Sequence, residues 1–191
     1  MHFGIDYGSK LAGTTVITYE ADGALHQIVA AKKQDADKLI LEAVKAHSPT
    51  AVYMDAPLSL PAAYFGTGTD YHYRQADREL GAMSPMFLGG LTARAMKLKH
   101  QLSELHTPVY ETYPGAYIRA HEALKAVYSK KDKACIAGCL LELEKVLPYP
   151  IAEAVESLHQ LDSIVAWLSG WRHIAGEAEQ VGAEAEGVIY I

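Results

Sequence analysis

Three short apolar runs in this chain each end in a carboxylate. His2-Phe3-Gly4-Ile5 ends in Asp6, Ala51-Val52-Tyr53-Met54 in Asp55 and Pro108-Val109-Tyr110 in Glu111, and a break containing Gly or Pro follows each. A short apolar run bounded by turn signals reads as a buried strand. If the three strands are parallel neighbours, their acids share the carboxyl edge of the sheet, where open α/β sheets hold ligands. Adjacent strands lie about 4.8 Å apart, so neighbouring carboxylates would stand roughly 5–7 Å from one another. Like charges that close raise each other's pKa unless a cation lies between them. Hard oxygen donors favour Mg2+ or Mn2+, and several carboxylates can hold a pair of ions. Such a pair activates an attacking water and stabilises the leaving oxygen of a phosphodiester. A single strand-end acid is more simply a helix cap or a solvated charge; its repetition in three strands points to a site.

A fourth acid joins them. His159 and Asp162 stand three residues apart in Leu158-His159-Gln160-Leu161-Asp162-Ser163-Ile164-Val165. That spacing puts both on one face of a helix, at the border of an apolar stripe. Arg74 and Arg78, one turn apart, either reach substrate phosphates or pair with Asp77 and Glu79 beside them. Ser9 and Lys10 follow Asp6 directly and are further candidates for contacting substrate. They have no partner that would make a nucleophile, and Gly8-Ser9-Lys10 lacks the spacing of a P-loop. Arg94, Lys97, Lys99 and His100, and Lys130, Lys131 and Lys133, read as solvated faces. Cys135 and Cys139 have no second cysteine pair for a structural zinc and read as packed small residues.

The elements that would position these residues follow from periodicity. Strands are predicted at 3–6, 13–19, 25–31, 51–55 and 108–111, with Asp22-Gly23 as a hairpin turn between the second and third. Helices are predicted at 37–47, 91–105, 117–128, 131–147 and 151–175, with a short one at 73–80. The tail 187–191 reads as a last strand or an extended segment. The strand–helix–strand order around residue 40 implies a right-handed parallel crossover. The whole, residues 1–191, reads as one α/β domain with an irregular insertion around 58–107.

Composition narrows the class. Half of the 191 residues are hydrophobic and 21% are charged, which fits a folded globular chain. Twenty-three acids against 17 Lys and Arg leave a net charge of -6, which argues against coating nucleic acid by bulk charge but not against a local site. Two cysteines fit a reducing, cytoplasmic compartment. No secretory signal or membrane span is expected.

The residues resemble a known group. Gly4-Ile5-Asp6-Tyr7-Gly8-Ser9-Lys10 resembles the first strand of RuvC-like and YqgF-like members of the RNase H-like superfamily, and His159-Gln160-Leu161-Asp162 their C-terminal H-x-x-D helix. More specifically, Asp55-Ala56-Pro57-Leu58, Arg74 to Leu80, Glu111-Thr112-Tyr113-Pro114 and Glu186-Gly187-Val188-Ile189 are similar to the RNase H-like nuclease family known as domain of unknown function four-two-nine. The resemblance runs from about residue 3 to about residue 189. It implies a mixed five-stranded sheet in order 3-2-1-4-5, the first three strands antiparallel, with helices on both faces. It implies Asp6, Asp55, Glu111 and Asp162 as ligands of two Mg2+ or Mn2+ ions, with His159 orienting Asp162 or moving a proton. The expected substrate is a nucleic acid, structured or single-stranded, and a homodimer is compatible with the chain. Two other readings stay open: nucleotide binding or phosphotransfer of the actin and sugar-kinase type, and a non-catalytic interaction module.

Overall fold

A computed structural model describes residues 1–191. The chain opens with β1 (Phe3–Asp6), β2 (Val16–Ala21) and β3 (Ala24–Val29), paired antiparallel. Asp22 and Gly23 make the β2–β3 turn at φ 52° and 75°, as a two-residue Asp-Gly hairpin requires. Helix α1 (Ala36–His47) follows, capped by Asp35, whose side chain accepts from the N–H groups of Asp37 and Lys38. The chain then crosses into β4 (Val52–Asp55), parallel to β1. Between β4 and β5 (Val109–Thr112) lie a 3-10 turn at Ala62–Phe65, the short helices α2 (Gln75–Leu80) and α3 (Pro85–Leu88), and the longer α4 (Gly90–Glu104). After β5 come α5 (Pro114–Ala120), α6 (Glu122–Val127), α7 (Cys135–Leu143), α8 (Leu158–Ala175), β6 (Gln180–Val181) and β7 (Ile189–Tyr190).

The fold is α/β, with a mixed seven-stranded sheet in the order β3-β2-β1-β4-β5-β7-β6. The expected count of five strands is therefore too low. β7 adds parallel to β5 and β6 antiparallel to β7, and each is only two residues long. Alternation over two residues carries no readable period.

Three helix predictions also change. The expected helix 117–128 is two helices, broken at His121 (φ -105°, ψ 104°), whose Nδ1–H donates to the Tyr117 carbonyl. The expected 131–147 shrinks to α7, because the Ser129 and Asp132 side chains capture the N–H groups of Lys131 and Ala134 in turns. The expected 151–175 begins at Leu158, where Ser157 caps it. Upstream, the chain runs extended along β3, with Leu25 N–H donating to Pro150 O and Ala152 N–H to Leu25 O.

Helices cover both faces of the sheet. On one face, α1 and α4 bury Ile40, Val44, Leu98 and Leu102 against Phe3, Ile5, Val52, Met54 and Val109. On the other, α8 is the central support, with α5, α6 and α7 packed beside it through Ile118, Leu124, Leu143, Leu161 and Val165. Two glycines set how close α8 lies. A Cβ on Gly4 would stand 2.1 Å from the backbone nitrogen of Trp167, and one on Gly170 would stand 2.4 Å from the Tyr53 ring. No helix is long and apolar enough to cross a membrane.

Candidate functional site

Register decides which acids meet. β1 and β4 pair in parallel with Asp6 opposite Asp55, so both side chains leave the same face of the sheet. It is the face that carries Gly4 and Tyr53, which contact α8. β5 pairs with Glu111 opposite Met54, one residue short of Asp55. The pleat alternates at every residue, so that offset sends Glu111 to the opposite face, with Ile5 and Met54. The four expected acids share an edge, but they do not share a face.

Helix α8 brings the remaining pair to Asp6 and Asp55. Its N-terminal turn, started by the Ser157 cap on Gln160 N–H, carries His159, and Asp162 follows one turn on. His159 Nδ1 lies 2.8 Å from Asp6 Oδ2. An ionised carboxylate only accepts, so Nδ1 carries the proton and Nε2 is left to titrate. The histidine thus orients Asp6 across the helix–sheet gap, whereas the sequence offered its own helix neighbour, Asp162. Burial is the main reason Asp6 is pushed above the usual carboxylate range, and His159 pulls it back. The Asp6 hydrogen bond in turn raises His159 above an ordinary imidazole.

Donors are scarce around these acids. Asp162 Oδ1 is buried with no hydrogen-bond partner. Burial first, and then the charge of Asp6, push Asp162 up to about 7, and the Tyr128 hydroxyl relieves it only in part. Asp55 is pushed well up by burial and by Asp6, Asp162 and Glu111, with Lys130 the one opposing charge. Lys130 likewise favours the ionised forms of Asp6 and Asp162.

No three His, Cys, Asp or Glu side chains stand together at metal-holding distances. The donor chemistry of the group still fits a hard divalent cation. Asp6 and Asp55 leave one sheet face and Asp162 faces them from α8; each is raised by burial, Asp55 and Asp162 also by the charge of Asp6, and Asp162 holds a buried oxygen without a partner. Asp6, Asp55 and Asp162 are the residues that could hold such an ion.

Glu111 does not fit that role, because its oxygens are already engaged. Oε2 accepts from Leu58 N–H at 2.8 Å and from Arg74 Nη1 at 2.7 Å, and Oε1 accepts from Arg74 Nη2 at 2.6 Å. Arg74 also forks onto Asp77, with Nε–Oδ2 at 3.0 Å and Nη2–Oδ1 at 2.7 Å, and reaches Ser59 Oγ at 2.9 Å. Arg74 and Asp77 are each 1% exposed. Burial pushes the Glu111 carboxyl up and the guanidinium pulls it back; we read the pair as charged, because the fork supplies two parallel charge-assisted bonds. Arg74 is therefore an internal tie, not a phosphate contact, and the alternative of pairing with its neighbouring acids is the one realised.

The other substrate candidates lie apart from the acids. Arg78 is exposed, pairs with Asp70 and covers the Tyr73 ring at 4.7 Å. Lys10 pairs with Asp35 at 3.1 Å, at the start of α1, and Ser9 is exposed in the same turn. That turn is fixed by others. Tyr7 OH donates to Asp37 at 2.5 Å, Arg94 binds Asp37 and Gly8 O, and Gly8 N–H donates to Thr15 Oγ1 at 3.0 Å. Arg94, expected on a solvated face, in fact anchors the loop behind Asp6. Lys130 and Tyr128 are the residues that sequence reasoning missed at the site itself. Both fall in an irregular stretch, where no period signals which side chains turn inward. Compared with models of protein families, with curated proteins and with solved structures, the chain matches none.

Proposed function

We propose that this protein is a divalent-metal-dependent nuclease of the RNase H-like kind, hydrolysing phosphodiester bonds of a nucleic acid. The observation that carries this is the meeting of Asp6 and Asp55, paired on one sheet face, with His159 and Asp162 from α8. The contiguous run β3-β2-β1-β4-β5, antiparallel through its first three strands, supports the RNase H-like frame that the resemblance implies. Asp6, Asp55 and Asp162 would hold Mg2+ or Mn2+, as a pair, with Glu111 withdrawn from the set. When bound, the ions supply the activated water and neutralise the leaving oxygen. The chain's own part is to aim the carboxylates and move protons. His159 fixes the Asp6 carboxylate through Nδ1–H, and its Nε2 is free to take or return a proton. Lys130 offers a positive charge to a phosphate beside Asp55.

The sugar-kinase reading loses ground because the loop after β1 has no free backbone donor at Gly8, whose N–H is taken by Thr15. The direct test is hydrolysis of a panel of single-stranded, duplex, hybrid and branched DNA and RNA with Mg2+ or Mn2+. Asp6→Asn and Asp162→Asn should each abolish turnover. Turnover unchanged in Asp6→Asn would sink the assignment.

A further inference from the structure

A cavity of about 190 Å³ opens beside Asp55. Pro57, Met83, Leu88 and the Tyr113 ring are among its lining residues, and so is the exposed Lys130. The Tyr113 ring is backed by Arg119, whose guanidinium carbon lies 5.2 Å from the ring centroid. Drug-sized ligands take about 300 Å³ or more, so this space suits one planar ring system. Outside it, next to Leu88, Phe87 is 65% exposed and meets the rings of His72 and Tyr73 at 5.8 and 6.0 Å. Met83 is also 60% exposed. Flat apolar walls beside an unpaired cation are how proteins hold single-stranded nucleic acid, with bases stacked and phosphates near Lys or Arg.

Apart from Asp55, which belongs to the set proposed for the metal, and Lys130, most polar side chains lining the cavity have little left with which to read a base. Arg74 commits all of its N–H groups to Asp77, Glu111 and Ser59, and Thr112 Oγ1 donates to Tyr190 O. Recognition there falls to stacking, which every base offers.

Resting on the nuclease reading above, we infer that the substrate is an unpaired strand, held with one base in the cavity that Met83 and Tyr113 line and its phosphate at Lys130, with little preference for base identity. A duplex keeps its bases stacked inside and cannot fill this cavity.

Fluorescence anisotropy with labelled tetranucleotides tests it. The protein carries Asp162→Asn and the buffer contains EDTA, so nothing is cleaved and repulsion by the acids is reduced. Thymidine and adenosine tetranucleotides should bind within about threefold of each other. Both should bind about tenfold or more tightly than an abasic tetramer of the same charge, and more tightly than a short duplex. Met83→Glu, at an exposed wall position, should remove most of the preference for intact over abasic strands. Equal binding of intact and abasic tetramers, a duplex bound as well as the single strand, or no binding of the intact strands would overturn the inference. Cleavage by the wild type without base-dependent binding overturns the cavity and leaves the nuclease standing. Base-dependent binding with no cleavage under any metal does the reverse.

Discussion

Two groups of carboxylates sit at one edge of the sheet, on opposite faces, and the chain treats them differently. Glu111 and Asp77 are buried with an arginine fork and backbone N–H groups filling their acceptor positions. Asp6 is buried and Asp55 and Asp162 are half-buried, with one histidine, one lysine and a tyrosine hydroxyl among them. A buried charge that is fully paired holds a structure together, whereas one left short of donors costs stability and marks a place where something charged is expected. The first group fastens the segment after β4 to the sheet. The second is the candidate site. Acid residues alone do not separate the two; the supply of donors does.

The comparison is broken most severely at Arg74. Arg74→Leu strands two buried carboxylates and should cost about 5 kcal/mol, the upper end for a broken buried pair. Chemical denaturation should register that loss, and a loss under about 1 kcal/mol would mean that the triad is not the tie described. The opposite sign is expected on the other face. Asp162 is at about 7 when folded, against 3.8 for the free side chain. Between those values the folded state binds more protons than the unfolded one, so the contribution of Asp162 to stability falls as pH rises. Without metal, Asp162→Asn should therefore match the wild type near pH 4 and exceed it by up to about 4 kcal/mol near pH 8. A gain that did not grow with pH would contradict the site's electrostatics.

His2 sharpens the same contrast from the other direction. It is 3% exposed, its Nε2–H donates to the Trp167 carbonyl at 2.8 Å, and burial lowers it to about 4. Here the unfolded state takes the proton first, so stability is lost as pH falls from 6.5 towards 4, by roughly 3 kcal/mol. His2→Gln should flatten that acid limb of a thermal-melting profile and leave the alkaline limb to the raised carboxylates, Asp162 among them. The smallest effect is at Lys130. Its charge competes with a divalent ion for the same carboxylates, so Lys130→Met should tighten Mn2+ binding about threefold at low salt, with the gain fading as salt rises. Calorimetric titration with the metal alone would show it, and weaker binding in the variant would give Lys130 a different part.

The strand-end acids were legible because β1 and β4 are apolar runs that stop at the acid, and the register then does the rest. The α8 pair was legible from the spacing of His159 and Asp162 on an amphipathic stretch. Glu111 shows where legibility ends. One residue of register moves it to the far face, and register depends on how β4 and β5 dock, not on either sequence alone. The role of Arg74 was equally hidden, since pairing with its helix neighbour Asp77 could be foreseen while Glu111, 37 residues away, meets it only in the fold. The strands β6 and β7 are too short to announce themselves, and the break at His121 depends on a ring-to-carbonyl bond within an otherwise helical pattern.

The glycine contacts of α8 have a mechanical consequence. At Gly4 the sheet backbone meets the helix backbone, and at Gly170 the helix backbone meets the Tyr53 ring, so the helix has no side-chain cushion at either place. Asp162 rides on a stiff beam, and Asp6 and Asp55 on the plate it is bolted to. Such a frame resists dilation. A ligand that had to part Asp162 from Asp6 and Asp55 would therefore work against the close helix–sheet contacts at Gly4 and Gly170.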